Sequence, residues 1–172
     1  MRFADAVQVA HDTFAYTNHT IMPEALEKWD QKLFRGVLPR VYPYVKKLDA
    51  LLRRTLEQRG VPMGEVSRYA ILEDGMVHMA RMAIFATHST NGVARLHTEI
   101  LKDTALHEWY ELYPERFNNK TNGVTQRRWL ALANPELAAL LHDAVGDGWL
   151  TDLSQLKRLE PCADDPAFLA RF

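Results

Sequence analysis

One long stretch with the pattern of an amphipathic helix constrains this chain most, because its apolar face must be buried against other parts of the fold. The stretch follows Pro39 and ends at Gly60 and Pro62. Proline fits a first helical turn, and glycine followed by proline is a typical helix stop. Apolar residues recur three or four positions apart at Val41, Tyr44, Val45, Leu48, Leu51, Leu52 and Leu56. The pattern predicts a chain with a packed core.

Composition agrees with a globular chain and argues against several classes of function. The 172 residues are 47% hydrophobic and 25% charged. The 21 basic and 22 acidic residues give a net charge of −1, so no basic excess indicates nucleic acid as a partner. The single cysteine, Cys162, cannot form an internal disulfide. Since neither a long apolar run nor a leader-like stretch is present, we expect a soluble, cytoplasmic protein with no membrane contact.

The first third of the chain predicts short elements. Apolar residues at helical spacing predict an opening helix from Phe3 to Phe14, and the β-branched and aromatic residues of 13–18 predict a short strand. Pro23 suits a first helical turn. Asp30 is expected to cap another short helix that ends near Gly36.

The middle of the chain is more ambiguous. Residues 76–86 (MVHMARMAIFA) fit a strand or a buried helix, and we favour a strand for their second half. Ser89 or Thr90 is expected to cap a helix that carries apolar residues as far as Leu101. A second helix should follow and end at Pro114. Together these elements predict a helix-rich α/β chain with a few short strands.

The polar, turn-rich segment Phe117–Gly123 (FNNKTNG) is predicted to be a loop and the best hinge. Beyond it we expect only short helices, starting at Thr125, Asn134 and Thr151. Asp165 and Pro166 would start one more helix only six residues before Phe172. Because so short a helix is marginal unless docked, we expect both ends to be cuts through a larger protein.

No motif for a metal or an activated nucleophile is present. His107-Glu108 is followed by Glu111, so the HExxH spacing of a zinc helix is missing, and we expect no metal site. Cys162 lies in an acidic stretch that does not favour a thiolate. The polar residues 16–20 at a strand end, and Asn122, suit hydrogen bonding to a polyhydroxyl ligand. Such residues are also typical of turns, and from the residue types alone turn formation is the favoured interpretation.

Four collinear segments resemble one family, the α-glucan phosphorylases that act on glycogen, starch and maltodextrin. The segments are AYTNHTIMPEALEKW (15–29), THSTNGVARLHTEILKDT (87–104), YELYPERFNNKTNGVTQRRWL (110–130) and NPELAALL (134–141). The resemblance covers essentially the whole chain and is weakest between Val41 and Ser67. Long collinear motifs are far more specific than one short pattern.

The resemblance implies a retaining glycosyl transfer in which inorganic phosphate cleaves the terminal α-1,4-linked glucose of a glucan and yields glucose 1-phosphate. Family members are homodimers with two Rossmann-like lobes of the GT-B type, and the phosphate group of their pyridoxal phosphate relays a proton. Residues 1–121 would then be the end of the N-terminal lobe. Residues 122–172 would be the crossover and the first helices of the C-terminal lobe.

The resemblance also implies roles for individual residues. His19 matches a histidine whose side chain reaches the 6-hydroxyl of the terminal glucose, and whose main-chain carbonyl stabilises positive charge developing on the ring. Asn122 matches an asparagine that bonds the same hydroxyl. The matching positions that flank or neighbour the pocket are Asn18, Thr20, Ala25 and Glu27.

Trp129 matches a tryptophan near the cofactor, and it could equally be a core residue. Asp30 and Gln126 depart from the family by standing where proline is common.

No segment resembles the one that carries the cofactor lysine. The basic residues that hold substrate phosphate and the acidic loop of the first lobe are also missing. We therefore expect no bound pyridoxal phosphate and no catalysis by this chain alone.

Three hypotheses follow: a segment of a phosphorylase, a truncated carbohydrate-binding or scaffold module without catalysis, or a non-functional relic. The first is favoured because the glucose-facing positions are present.

The long helix and residues 76–86 look shaped to pack against a sheet that lacks its other strands. Since exposed apolar patches favour association, we expect this chain to self-associate.

Overall fold

A computed structural model describes all 172 residues and divides into two compact units, Met1–Asn122 and Gly123–Phe172. The α-helices of the first unit are α1 (Phe3–Thr13), α2 (Gln31–Val37), α3 (Tyr42–Gln58), α4 (Val66–Tyr69), α5 (Met79–Ala86), α6 (Arg95–Asp103) and α7 (His107–Leu112). Its strands are β1 (Ala15–Thr17), β2 (Lys28–Asp30), β3 (Leu72–Glu73), β4 (Met76–His78), β5 (Ser89–Gly92) and β6 (Phe117–Asn119). The predicted helix-rich α/β class is confirmed.

The strands of the first unit form two small sheets. One is parallel with the order β1-β5-β6, and in its register Tyr16 pairs with Thr90 and Asn91 pairs with Asn118. The other is antiparallel with the order β2-β4-β3. Since parallel strands run in one direction, the carboxyl ends of β1, β5 and β6 share one edge of the sheet.

Helix α3 is the long amphipathic helix that the sequence predicts, and Gly60 beyond it has a positive φ of 77°. Its buried face contributes Val45, Leu52 and Leu56 to the core of the first unit. That core also takes in residues from α4 to α7 and the strands: Tyr69, Ile71, Val77, Ile84, Leu101, Leu106, Trp109, Tyr113 and Phe117.

A buried carboxylate ties α3 to the antiparallel sheet. Asp49 Oδ1 accepts hydrogen bonds from the backbone N–H of Ile71 at 2.8 Å and of Leu72 at 3.1 Å. Its Oδ2 accepts from Arg53 Nε at 2.8 Å, and Arg53 Nη2 donates to the carbonyl of Leu72 and to Glu73. The carboxylate thus supplies partners for backbone groups that have none in a strand ladder.

The prediction for residues 76–86 is wrong in its second half. Met76–His78 forms β4, whereas Met79–Ala86 forms helix α5. Alanine and methionine are good helix formers, and apolar residues on most sides of the segment hide the helical period. Arg81 holds this helix in place because its Nη1 donates to the carbonyls of Ser67 and Ala70, both at 2.9 Å.

The predicted helix cap at Ser89 or Thr90 is also wrong, because Ser89–Gly92 is a strand and α6 begins only at Arg95. The loop predicted for Phe117–Gly123 is wrong in its first part, which is strand β6, whereas 120–123 are irregular as predicted. Strand β5 is the centre of the parallel sheet, so its polar backbone gains partners on both sides. Sheet pairing therefore overrides the turn-like composition of both segments, and the irregular part begins after Asn119.

Side-chain caps mark the start of some elements of the second unit but not of others. Helix α8 (Pro135–Val145) starts as predicted, since Asn134 Oδ1 accepts from Leu137 N–H at 3.1 Å. Asp152, rather than the predicted Thr151, caps the long 3-10 segment Leu153–Asp164. The predicted cap at Thr125 is also wrong: the π-helical turn Arg127–Leu132 follows Gln126 and has no side-chain cap.

Two further short elements complete this unit, a 3-10 turn at Asp147–Leu150 and helix α9 (Pro166–Leu169). Asp165 starts α9 as predicted, because its Oδ1 accepts from Ala167 N–H at 2.9 Å. The small core of the unit consists of Ala138, Leu141, Val145 and Trp149. None of the helices of the chain combines the length and the apolar character that crossing a membrane requires.

Candidate functional site

A cavity of ≈ 450 Å³ lies beside the carboxyl end of β1. Its polar wall is the segment after β1 and the following 3-10 turn Pro23–Ala25, and its opposite wall is α5. Five of the six residues predicted to contact a sugar line it, namely Asn18, His19, Thr20, Ala25 and Glu27. The carboxyl edge of a parallel sheet is where α/β proteins commonly bind ligands.

Asn18 shapes the polar wall. Its side chain is 1% exposed, its Nδ2 donates to Tyr16 Oη at 3.1 Å, and its Oδ1 accepts from Thr20 N–H at 2.8 Å. Its own backbone N–H donates to the carbonyl of Asn91 in β5. Because both polar atoms of the side chain bond within the loop, Asn18 positions its neighbours rather than offering a free group to a ligand.

His19, the next residue, is exposed, and no protein group hydrogen bonds to its ring or its main-chain carbonyl. Thr20 beside it accepts from Met22 N–H at 3.1 Å, which fixes the chain that follows. The loop is therefore held from both sides while the polar atoms of His19 stay free. A ligand in the cavity could use the imidazole and the carbonyl oxygen at once.

The wall that the sequence analysis missed is helix α5. Met79, Met82, Ala83 and Ala86 line the cavity, and these positions share one helix face by their spacing. The signal was in the sequence, but it emerges only when the segment is taken as a helix. A polar loop facing an apolar helix suits a ligand with polar edges and an apolar body.

Tyr16, which belongs to the polar segment 16–20 but not to the positions implied by the resemblance, also lines the cavity. Burial raises the pKa of its phenol, and the hydrogen bond from Asn18 acts in the opposite direction. The phenol is therefore neutral at ordinary pH and acts through its hydroxyl. Its position in β1 places it under the loop, where it accepts from the amide that shapes that loop.

Asn122 does not line this cavity, although it lies at the same edge of the sheet. It follows β6, its backbone N–H donates to the carbonyl of Val93 at 2.9 Å, and its side chain is exposed without a protein partner. Strand β5 lies between β1 and β6, which separates the two outer strands by about 10 Å. The fold thus brings Asn122 to the edge that carries His19 without placing the two in contact.

Gly92 is required where β5 meets α6. A Cβ at this position would overlap the side chain of Thr98 and lie 2.7 Å from His97 Nδ1. That nitrogen accepts from Val93 N–H at 3.2 Å. The close approach of strand and helix fixes the backbone on which Asn122 rests.

Glu27 and Trp129 complete the predicted set. The Glu27 side chain is exposed and forms no ion pair, while its carbonyl accepts from Met79 N–H at 3.1 Å. Trp129 lies in the π-helical turn of the second unit and is 75% exposed, so its interpretation as a core residue is wrong. No group of three or more His, Cys, Asp or Glu side chains is arranged to hold a metal ion.

Comparison with known proteins identifies the family. The sequence model of the family described as "Carbohydrate phosphorylase" matches residues 1–172. The chain belongs to the carbohydrate phosphorylase family.

Individual relatives agree with this assignment. This phosphorylase segment is 42% identical to glycogen phosphorylase of Bacillus subtilis (strain 168), over 100% of the segment and 22% of that protein. It is 42% identical to the brain form of glycogen phosphorylase of Rattus norvegicus, over 95% of the segment and 20% of that protein. Maltodextrin phosphorylase of Streptococcus pneumoniae is 45% identical, over 90% of the segment and 20% of that protein. The chain spans about a fifth of the length of these relatives.

Proposed function

We propose that the first unit supplies part of the glucose site of an α-glucan phosphorylase. The reaction moves the terminal α-1,4-linked glucose of a glucan to inorganic phosphate and gives glucose 1-phosphate. The observation that carries this proposal is the cavity beside β1, with the ring and the carbonyl of His19 free at its polar wall. The parallel sheet would belong to the first Rossmann-like lobe of a GT-B fold, and the second unit to the crossover and the start of the second lobe.

In this function each residue of the site has a distinct task. The imidazole of His19 bonds the 6-hydroxyl of the glucose, and Asn122 approaches the same hydroxyl from the neighbouring strand end. The carbonyl oxygen of His19 stabilises positive charge that develops on the sugar ring, an electrostatic contribution that needs no change of protonation. Asn18 holds the loop in the conformation that presents this carbonyl.

The residues of this chain do not form a site for pyridoxal phosphate. A Schiff-base lysine is activated by desolvation, yet every lysine of the chain is exposed or half-buried. Trp129, the candidate neighbour of the cofactor, is exposed as well. We expect the chain alone to give no phosphorolysis with maltoheptaose, phosphate and added cofactor; reproducible glucose 1-phosphate from the pure protein would contradict this.

The sugar site is tested by titrating the ¹⁵N-labelled chain with glucose and following its backbone amide signals by NMR. We expect saturable shifts at residues 18–25 with a dissociation constant on the order of millimolar. The sugar still loses its freedom of motion on binding, but this chain offers only part of the contacts of a complete cleft. D-Xylose, which lacks the hydroxymethyl group that carries the 6-hydroxyl, should bind several-fold more weakly. His19→Ala should remove the difference between the two sugars.

The matched control is His88→Ala, which removes an exposed imidazole that does not line the cavity. It should leave both titrations unchanged. Equal binding of glucose and xylose, or shifts confined to other parts of the chain, would overturn the assignment. Micromolar binding of maltoheptaose would instead support a stand-alone carbohydrate-binding module.

A further inference from the structure

A second cavity, of ≈ 510 Å³, lies next to the sugar cavity and has no role in the function proposed above. The two cavities share Leu26, Glu27 and Ala80 as lining residues. The second is also lined by His78 at the end of β4, by residues 104–106 between α6 and α7, and by Glu108 and Trp109 of α7. Five charged side chains surround it.

The charged side chains around this cavity form no ion pairs. The cations are Lys28, Arg68 and Arg81, and the carboxylates are Glu27 and Glu108. None of the five takes part in any ion pair of the structure. Three cations and two carboxylates therefore line one cavity without a close contact between opposite charges.

Arg81 presents free donors to this cavity. Its Nη1 donates to the carbonyls of Ser67 and Ala70, but Nε and Nη2 donate to no protein group. The side chain is half-buried, and burial lowers the pKa of its guanidinium, while the charges of Glu73, Glu108 and Asp74 act in the opposite direction. None of these carboxylates bonds the guanidinium directly, so a bound oxyanion could occupy its free donors.

Two further groups at the wall of this cavity, His78 and the N-terminus of α5, are also suited to an anion. The imidazole of His78 is buried, and its Nε2 has no hydrogen-bond partner. Burial lowers the pKa of His78 most, the charges of Arg81 and Lys28 lower it further, and Asp74 and the backbone of Glu73 act in the opposite direction. The N-terminus of α5 lies here without a side-chain cap, and its dipole adds positive potential.

We propose that this second cavity binds an oxyanion of the phosphate class, either inorganic phosphate or a phosphate ester. The free Nε and Nη2 of Arg81 form the planar pair of donors that matches two oxygens of a phosphate group. Lys28 and Arg68 add charge without rigid geometry, since neither side chain has a bonding partner in the protein. A phosphate group has more acceptor oxygens than a carboxylate, so it can bond the Arg81 donors and a second cation at once, and the volume leaves room for an attached group.

The test titrates inorganic phosphate into the ¹⁵N-labelled chain at constant ionic strength and follows the Nε–H signal of Arg81. We expect a saturable shift that chloride does not reproduce. Arg68→Met and Lys28→Met remove cations without breaking a hydrogen bond, and each should weaken phosphate binding about two- to fivefold. Lys46→Met, an exposed cation on α3 away from the cavity, should change nothing.

A second titration with glycerol 3-phosphate, a phosphate ester without a sugar, distinguishes the sources of the phosphate group. Equal affinity indicates that the phosphate alone is bound, and tighter binding with the same Arg81 shift indicates a phosphate ester. No saturable shift of Arg81 with either ligand, or an equal effect of chloride, would overturn the proposal. Since neither glucose nor a glucan is used, failure here would leave the sugar-site titrations unaffected.

Discussion

Replacing Asp49 tests whether one buried carboxylate joins α3 to the antiparallel sheet. The side chain is 7% exposed, and its two oxygens accept from Ile71 N–H, Leu72 N–H and Arg53 Nε. In Asp49→Ala both backbone donors lose their acceptor inside the protein. The free energy of unfolding should therefore fall much more than for an ordinary surface substitution.

The size of the loss follows from these contacts. An unpaired buried donor costs about 1–3 kcal/mol, which applies in full to the buried Ile71 N–H and in part to the half-buried Leu72 N–H. The ion pair adds less than about 1 kcal/mol, because the Arg53 side chain is 41% exposed. We expect a total loss of about 3 kcal/mol for Asp49→Ala. Asp49→Asn keeps an acceptor oxygen for both N–H groups and should lose only about 1–2 kcal/mol.

The assay is urea unfolding combined with amide hydrogen exchange. A loss of 3 kcal/mol lowers the urea midpoint by about 1–3 M, and exchange at Ile71 should accelerate in step. The control is Glu99→Ala, which removes the acidic partner of an exposed pair with Lys102 and should cost no more than about 0.5 kcal/mol. The reasoning fails if Asp49→Ala costs no more than this control, or if Asp49→Asn is as damaging as Asp49→Ala.

Three further predictions address packing, pH and association. Gly92→Ala should destabilise the chain by about 1–3 kcal/mol, because the new Cβ would overlap Thr98. A Cβ at Gly36 meets open space, so Gly36→Ala should not destabilise the chain in this way, and thermal unfolding of both variants tests the difference. Burial keeps the pKa of His78 below its ordinary value of 6.5, so the unfolded chain binds more protons than the folded one as pH drops below 6.5. The free energy of unfolding should therefore fall with pH in that range, and urea titrations of His78→Asn should show a weaker dependence on pH. Exposed apolar side chains such as Val37 and Trp129 should drive self-association in size-exclusion chromatography, and a sharp monomer peak at micromolar concentration would contradict this.

Much of the candidate site could be predicted from the sequence, because its polar wall is one continuous segment. Asn18, His19 and Thr20 are adjacent in the chain, and a short turn brings Ala25 to the same cavity. The apolar wall could not be predicted in the same way. Its place in the fold involves partners outside the segment, since Arg81 donates to the carbonyls of Ser67 and Ala70.

The cavity around Arg81 was likewise invisible in the sequence. Its cations come from β2, α4 and α5, and none of them stands in a recognisable motif. Exposed lysines and arginines are ordinary surface residues until the fold places them around one space. The same holds for Asp49, whose partners Ile71 and Leu72 lie more than twenty residues away.

The sequence by itself determined the family and the elements that begin and end by local interactions. Asp30, Asn134 and Asp165 cap helices with their own side chains, and Gly146 ends one with a positive φ. These effects act over three or four residues, so the order of residues suffices to predict them. Tertiary structure alone decided that Ser89–Gly92 and Phe117–Asn119 are strands. Those segments gain their hydrogen bonds and burial from partners far along the chain, and such contacts override local propensity.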